Sequence, residues 1–151
     1  MLTLQRAKLE DAKQLTAIKI AAYNLEINTY LGRDGGPPGY NDINSQISII
    51  KNCIAYKIIL DHNIIGGFFL IPLASNCMRF EDFVIHPTYQ RQGYGHFAMK
   101  LLESEYPNIH KWFLSTPIFS LGNQYLYKKL GYYEISRNDD EIEYCKIINS
   151  N

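Results

Sequence analysis

The sequence has few cysteines and no excess of either charge. Its 151 residues include 3 cysteines, which lie far apart and form no CxxC pair, so neither a disulfide framework nor a zinc site is indicated. The 15 basic side chains balance the 15 acidic ones, which leaves no global positive field for nucleic acid or an anionic membrane. The odd cysteine number favours a reducing, cytoplasmic location, and the 4 histidines show no metal-ligand spacing.

Long apolar runs are also lacking. The richest, IIGGFFLIPLA at 64–74, is too short to span a bilayer, and the first fifteen residues contain no uninterrupted apolar segment typical of a secretory signal. What is present is ample material for a packed interior, with 46% hydrophobic and 13% aromatic residues. A chain of this length is typical of one domain, so we expect a single domain over 1–151.

Apolar periodicity and turn residues predict eleven elements in the order β-α-α-β-β-β-α-β-α-β-β. Strands are predicted at 2–7, 53–60, 64–73, 77–85, 111–119, 132–137 and 141–148, and helices at 9–26, 42–52, 94–106 and 123–131. This order predicts an α/β (α+β) fold with a mixed, mostly antiparallel central sheet and helices on both faces.

The stretch YQRQGYGHFAMKLLE at 89–103 places two glycines just before a predicted helix. The first amides of a helix lack intrahelical partners and carry partial positive charge, which suits an anion such as phosphate. Gly93 and Gly95 lack a Cβ, so an oxygen can approach the backbone, and Arg91 adds a cation. The spacing fits neither a Walker loop nor a complete dinucleotide fingerprint, so phosphate cradle and plain helix-entry turn both stay open.

The longer window VIHPTYQRQGYG at 84–95 resembles the acetyl-coenzyme A motif of the GNAT superfamily of N-acetyltransferases, with Gln90, Gly93 and Gly95 at its fixed positions. The order of elements is similar to that fold over essentially the whole chain. The resemblance implies that the strand before the motif separates from its neighbour and that backbone groups there hold the pantetheine and acetyl carbonyl. Backbone amides of the turn would then hold the pyrophosphate. The residues so assigned are Phe83, Val84, Ile85, Arg91, Gln92, Gly93, Tyr94, Gly95 and His96, with Gln90 at the edge.

A second segment, GNQYLYKKLGY at 122–132, resembles the tyrosine-containing helix of the same superfamily. The resemblance implies that Tyr127 protonates the departing coenzyme A thiolate, for which a phenol with a pKa of about 10 is suited. Ser120 stands where many members carry an asparagine, so either Asn123 takes over part of that role or the cofactor contact is lost. The alternative is that Tyr127, one of 12 tyrosines, only packs in the core.

The acidic pair in FEDFVI at 80–85 offers a general base, which an amine acceptor needs because it arrives as ammonium. Regular strand alternation predicts Glu81 on the side of Phe83 and Ile85, and Asp82 on the other. The run is similar to that of polyamine N-acetyltransferases, and this resemblance implies Glu81 as the base. A salt bridge or a turn contact is the alternative for both acids.

The glycine- and proline-rich segment YLGRDGGPPGYND at 30–42 predicts a loop. In the implied fold it borders the acceptor cleft, where Arg33, Asp34 and Tyr40 would select the substrate, or it is a surface loop without such a role.

The resemblance implies direct transfer of the acetyl group of acetyl-CoA to a primary amine of a small molecule, without a metal. The alternatives are acetylation of a protein N-terminus or lysine, and a non-catalytic acyl-CoA sensor. The oligomeric state stays open, with a homodimer as one alternative.

Overall fold

Seven strands and four helices follow one another in the predicted order in the computed structural model, which describes residues 1–149. The strands are β1 Leu2–Arg6, β2 Ile54–Leu60, β3 Asn63–Pro72, β4 Cys77–Ile85, β5 Lys111–Pro117, β6 Tyr133–Arg137 and β7 Glu141–Ile147. The helices are α1 Ala12–Leu31, α2 Ile43–Asn52, α3 Tyr94–Glu105 and α4 Leu121–Lys129. No helix in this part of the chain is long and apolar enough to cross a membrane.

The strands form one sheet in the order β1-β2-β3-β4-β5-β7-β6. Every neighbouring pair is antiparallel except β4 and β5, which are parallel. Their pairing covers only Cys77–Arg79 of β4 against Lys111–Phe113 of β5. Beyond these residues the two strands separate, which opens the sheet at its centre on the side where β4 ends.

Helices cover both faces of the sheet. Val84 and Ile85 are consecutive in β4 and therefore point to opposite faces. Val84 packs with Ile18 and Ala22 of α1, whereas Ile85 belongs to the large core cluster that includes Leu102 of α3. The predicted mixed, mostly antiparallel sheet with helices on both faces is therefore confirmed.

Helix α1 continues five residues beyond its predicted end. It ends at Leu31, where Gly32 takes a left-handed conformation with φ of 71° and donates its amide to the carbonyl of Asn28. The prediction that the loop begins at residue 30 is wrong because this glycine, and not Tyr30, ends the helix. Leu25 lies at helical spacing from Ile18 and Ala22, which predicts a shared buried face, but it is 48% exposed.

The loop after α1 is anchored to that helix. Oδ1 of Asn24 accepts hydrogen bonds from the amide of Gly35 at 3.1 Å and from the hydroxyl of Tyr40 at 2.7 Å. The ring of Tyr40 also packs edge-on against Tyr23. These contacts fix the loop on the α1 side of the sheet.

Candidate active site

A bulge in β4 shapes the edge of the central gap. Asp82 has a positive φ of 60°, and the register between β3 and β4 shifts opposite it. The two strands come so close beyond the bulge that a Cβ on Gly66 would lie 2.2 Å from the carbonyl oxygen of Val84. Only glycine fits this position.

The bulge overturns the predicted alternation. Phe83 packs against Phe80 with ring centroids 5.5 Å apart, so both rings lie on one face although three positions separate them. Glu81, which follows Phe80 directly, therefore lies on the opposite face from Phe83. The expectation that Glu81 shares a side with Phe83 is wrong because the bulge inserts one residue into the strand.

Beyond the bulge, β4 has a free edge. Ile85 lies opposite Gly66, and the flanking amide of His86 donates to the carbonyl of Ile65 at 2.7 Å. In an antiparallel pair, this pattern directs the amide and carbonyl of Ile85 away from β3. The side chain of Gln90 donates to this carbonyl at 2.8 Å. The amide of Ile85 thus faces the gap.

The two glycines of the turn have different structural roles. Gly93 caps α3 with φ of 86°, a conformation that favours glycine, and an added Cβ there would meet nothing within 4 Å. An added Cβ on Gly95 would lie 3.2 Å from the ring of Phe83. Gly93 therefore serves the backbone conformation, and Gly95 lets the start of α3 approach β4.

A cavity of about 600 Å³ lies between α1, the end of β4, the glycine turn and α4. Ten of the residues assigned to the cofactor from the sequence line it: Phe83, Val84, Ile85, Gln90, Arg91, Gly93, Tyr94, Gly95, His96 and Asn123. Gln92 does not line the cavity, and its side chain donates to the carbonyl of Thr88 instead. The side-chain amide of Asn123 donates to the hydroxyl of Thr116 at 3.3 Å.

Positive charge collects at one end of the cavity. Arg91, His96 and Lys129 line it near the start of α3. The pKa of His96 is lowered by desolvation and by the neighbouring positive charges of Lys129 and Lys100. Together with the free amides at the start of α3, the cations Arg91 and Lys129 favour an anionic group.

Tyr127 belongs to the main hydrophobic core and does not line the cavity. Its side chain is 3% exposed and packs against the rings of Tyr132 and Tyr144, with centroids 5.9 and 6.0 Å away. Its hydroxyl makes no hydrogen bond with residues 1–149. Burial raises the pKa of Tyr127 well above its ordinary value, and the negative charges of Glu26 and Glu81 raise it further. The phenol is therefore protonated at neutral pH.

The two acidic residues of β4 both have cationic partners. Glu81 forms an ion pair with Arg79, which also binds Glu143 of β7 at 2.5 Å. Asp82 forms a buried ion pair with Lys19 of α1 and accepts a hydrogen bond from the hydroxyl of Tyr23. Neither carboxylate lines the cavity.

One cavity carboxylate was not found from the sequence. Glu26 of α1 lines the cavity, and its Oε2 accepts a hydrogen bond of 2.8 Å from the hydroxyl of Ser120. Burial raises the pKa of Glu26, and the bond from Ser120 partly opposes this. One related signal was present in the sequence: Ser120, the partner of Glu26, stands at a position where the family resemblance led us to expect an asparagine.

The loop residues expected at the acceptor cleft do not reach this cavity. Arg33, Asp34 and Tyr40 are absent from its lining. Oδ1 of Asp34 accepts a hydrogen bond from Asn28 at 3.2 Å, and Tyr40 is bonded to Asn24. The residues that line the cavity from this side belong to α1 itself.

The sheet is split between the two parallel strands β4 and β5, and a glycine turn enters a helix beside the split. The sequence model described as "Acetyltransferase (GNAT) domain" matches residues 51–134, more than half of the chain. The chain belongs to this family and is an acetyl-CoA-dependent N-acetyltransferase.

Other known proteins are similar to this chain in sequence or in fold. The chain is 28% identical over 134 residues to the uncharacterized protein YrkN of Bacillus subtilis, covering 86% of this chain and 72% of that protein. A GNAT acetyltransferase of Streptococcus agalactiae has a TM-score of 0.82 at 16% identity, covering 99% and 96% of the two chains. The PaiA N-acetyltransferase of Thermoplasma acidophilum, solved with coenzyme A, has a TM-score of 0.75 at 16% identity over 98% and 99%.

A chimeric spermidine N-acetyltransferase, SpeG, from Vibrio cholerae and hSSAT is also similar in structure. Its TM-score is 0.72 at 17% identity, covering 97% of this chain and 95% of that one. The predicted resemblance to polyamine N-acetyltransferases thus extends to the fold.

Proposed function

We propose that this protein transfers the acetyl group of acetyl-CoA directly to a primary amine of a small molecule. The observation that carries the proposal is a cavity of about 600 Å³, which joins the free edge of β4 and the start of α3 to the carboxylate of Glu26. This volume is in the range of small-molecule sites. One end suits phosphate and the other suits a cation.

The residues present fit coenzyme A. The free amide of Ile85, with the backbone of Phe83 and Val84, would pair with the pantetheine arm. Amides from Arg91 to His96, including that of Gln92, would bind the pyrophosphate, and Asn123 would add a contact from α4. An amide at the thioester oxygen stabilises the negative charge that develops there, typically by about 3 kcal/mol.

Two side chains would move protons in the reaction. Glu81, which does not line the cavity, would receive the proton of the ammonium group through water, so that the amine can attack. Tyr127, which burial keeps protonated, would donate its proton to the coenzyme A sulfur. Direct transfer is favoured because Cys53, Cys77 and Cys145 lie outside the cavity lining and both motifs.

The test is an acceptor screen. Acetyl-CoA and the purified protein are incubated with spermidine, amino sugars, aminoglycosides, amino acids and short peptides, and release of free coenzyme A thiol is measured. The proposal expects amine-dependent release with at least one small amine, and mass spectrometry should show that amine with one added acetyl group. Transfer only to peptide or protein amines would replace the small-molecule assignment. Binding of acetyl-CoA without any transfer would favour the sensor.

A further inference from the structure

Glu26 is held in a fixed orientation at the junction of α1 and α4. Ser120, which bonds to its Oε2, is 1% exposed and lies at the N-cap of α4. The other carboxylate oxygen makes no hydrogen bond with the described residues, although the side chain lines the cavity. One oxygen is therefore positioned by the protein, and the other is free for a ligand.

Glu26 also differs in charge balance from its acidic neighbours. Arg79 compensates Glu81, and Lys19 compensates Asp82. Glu26 has no cation within 4 Å in the part of the chain that the structure describes. Its negative charge instead helps to raise the pKa of two neighbouring phenols, those of Tyr23 and Tyr127.

The cations of the cavity lie at its other end. Lys129, at the end of α4, is nine positions from Ser120, or about 13 Å along the helix. The cavity therefore has a negative end at the start of α4 and a positive end at the start of α3. Because its two ends differ in charge, the cavity can orient both an acetyl donor that carries phosphates and an acetyl acceptor that carries a positive charge.

We propose that Glu26 binds the ammonium group of the acceptor amine and that Ser120 positions it. The inference deepens the proposed function and rests on it: Glu81 remains the proposed proton acceptor, and Glu26 determines which acceptors bind. A half-buried carboxylate without a cation gains much from an ammonium partner, and burial raises the pKa of Glu26, which shows the cost of its isolated charge. Ala22, Leu25 and Tyr30 beside it favour cationic amines that carry an alkyl or aryl group.

The first test is kinetic and uses the best amine from the acceptor screen. Glu26→Gln should raise the KM for that amine at least tenfold, while kcat and the KM for acetyl-CoA change less than threefold. Ser120→Ala should raise the amine KM about threefold. Glu10→Gln, an exposed carboxylate far from the cavity, is the matched control and should change nothing. An unchanged amine KM in Glu26→Gln would overturn the inference.

The second test does not depend on activity. Protein with ¹³C-labelled glutamate carboxyls is saturated with coenzyme A and titrated with n-propylammonium chloride at constant ionic strength. The Glu26 signal is identified as the one that Glu26→Gln removes. We expect it to shift saturably with n-propylammonium and to stay in place with uncharged n-butanol. A shift confined to Glu81, or no shift, would overturn the inference. If no amine is acetylated, the proposed function fails, and this titration still decides whether Glu26 binds ammonium.

Discussion

The side-chain amide of Gln90 donates a hydrogen bond of 2.8 Å to the backbone carbonyl of Ile85. This contact joins the last residue of β4 to the turn that leads into α3. It occupies the carbonyl that faces the gap and leaves the amide of the same residue free. The geometry gives a glutamine at the start of the turn a role in the proposed cofactor site, which consists mostly of backbone.

Replacing Gln90 should therefore weaken cofactor binding without stopping the chemistry. Loss of one hydrogen bond corresponds to about 1 kcal/mol, or about a fivefold increase in the KM for acetyl-CoA in Gln90→Ala. We expect little change in kcat. Gln92→Ala is the comparison because its side chain bonds to Thr88 outside the cavity, and alanine keeps the backbone amide. Equal effects of the two substitutions, measured by initial rates, would contradict this role of Gln90.

Removing the hydroxyl of Tyr127 should affect catalysis more than stability. General acid catalysis typically contributes at least about 100-fold, so kcat of Tyr127→Phe should fall by about that factor. The melting temperature should change little, because this hydroxyl makes no hydrogen bond within residues 1–149.

The matched control is Tyr132→Phe, which changes the ring packed 5.9 Å from Tyr127. We expect its kcat to stay within twofold of the unmodified protein. If Tyr127→Phe retains full kcat, or if both variants lose activity equally, Tyr127 is a packing residue.

The ion pair between Lys19 and Asp82 should contribute strongly to stability. Both side chains are largely buried, with 7% and 14% exposure, and Asp82 forms the bulge. Lys19→Met leaves the carboxylate with only the Tyr23 hydroxyl, which should lower the free energy of unfolding by about 3 kcal/mol in urea titrations. The exposed Lys13→Met on the same helix should change it by less than about 0.5 kcal/mol.

A second substitution tests whether charge causes this loss. Asn tolerates the positive φ of position 82, so Asp82→Asn should preserve the bulge. Added to Lys19→Met, it removes the uncompensated charge and should restore part of the lost stability. A double variant less stable than Lys19→Met would show that the carboxylate stabilises the bulge in another way.

Glu26 should reduce stability at neutral pH. Its folded pKa is raised above the ordinary value of 4.5, so its protonated form favours the folded state, and this contribution is lost as pH rises through the folded pKa. Glu26→Gln should therefore melt a few degrees higher than the unmodified protein at pH 7 to 8. The difference should vanish below about pH 4. A lower melting temperature of the variant at pH 7 would contradict the assigned desolvation.

Local signals in the sequence predicted the elements that surround the cavity. The bounds of β4 at 77–85 were predicted correctly because His86-Pro87 ends the run CMRFEDFVI. The hairpin between β2 and β3 turns at Asp61 and His62, both with positive φ. The amphipathic pattern after the two glycines also predicted α3, because one face of the helix covers the sheet.

Features that depend on contacts distant in sequence were missed. The bulge at Asp82 depends on the close approach of Gly66 to Val84, which strand alternation does not reveal. The bond between Glu26 and Ser120 joins residues 94 positions apart. Helical periodicity assigned no role to Glu26, because its importance comes from the cavity that α4 completes.

The most direct test of the account is to titrate ¹⁵N-labelled protein with coenzyme A and follow the backbone amide signals by NMR. The account predicts saturable binding with the largest shifts at the amides of 83–85 and 91–96, together with those of α4. Absence of binding, or shifts centred away from the gap between β4 and β5, would contradict it.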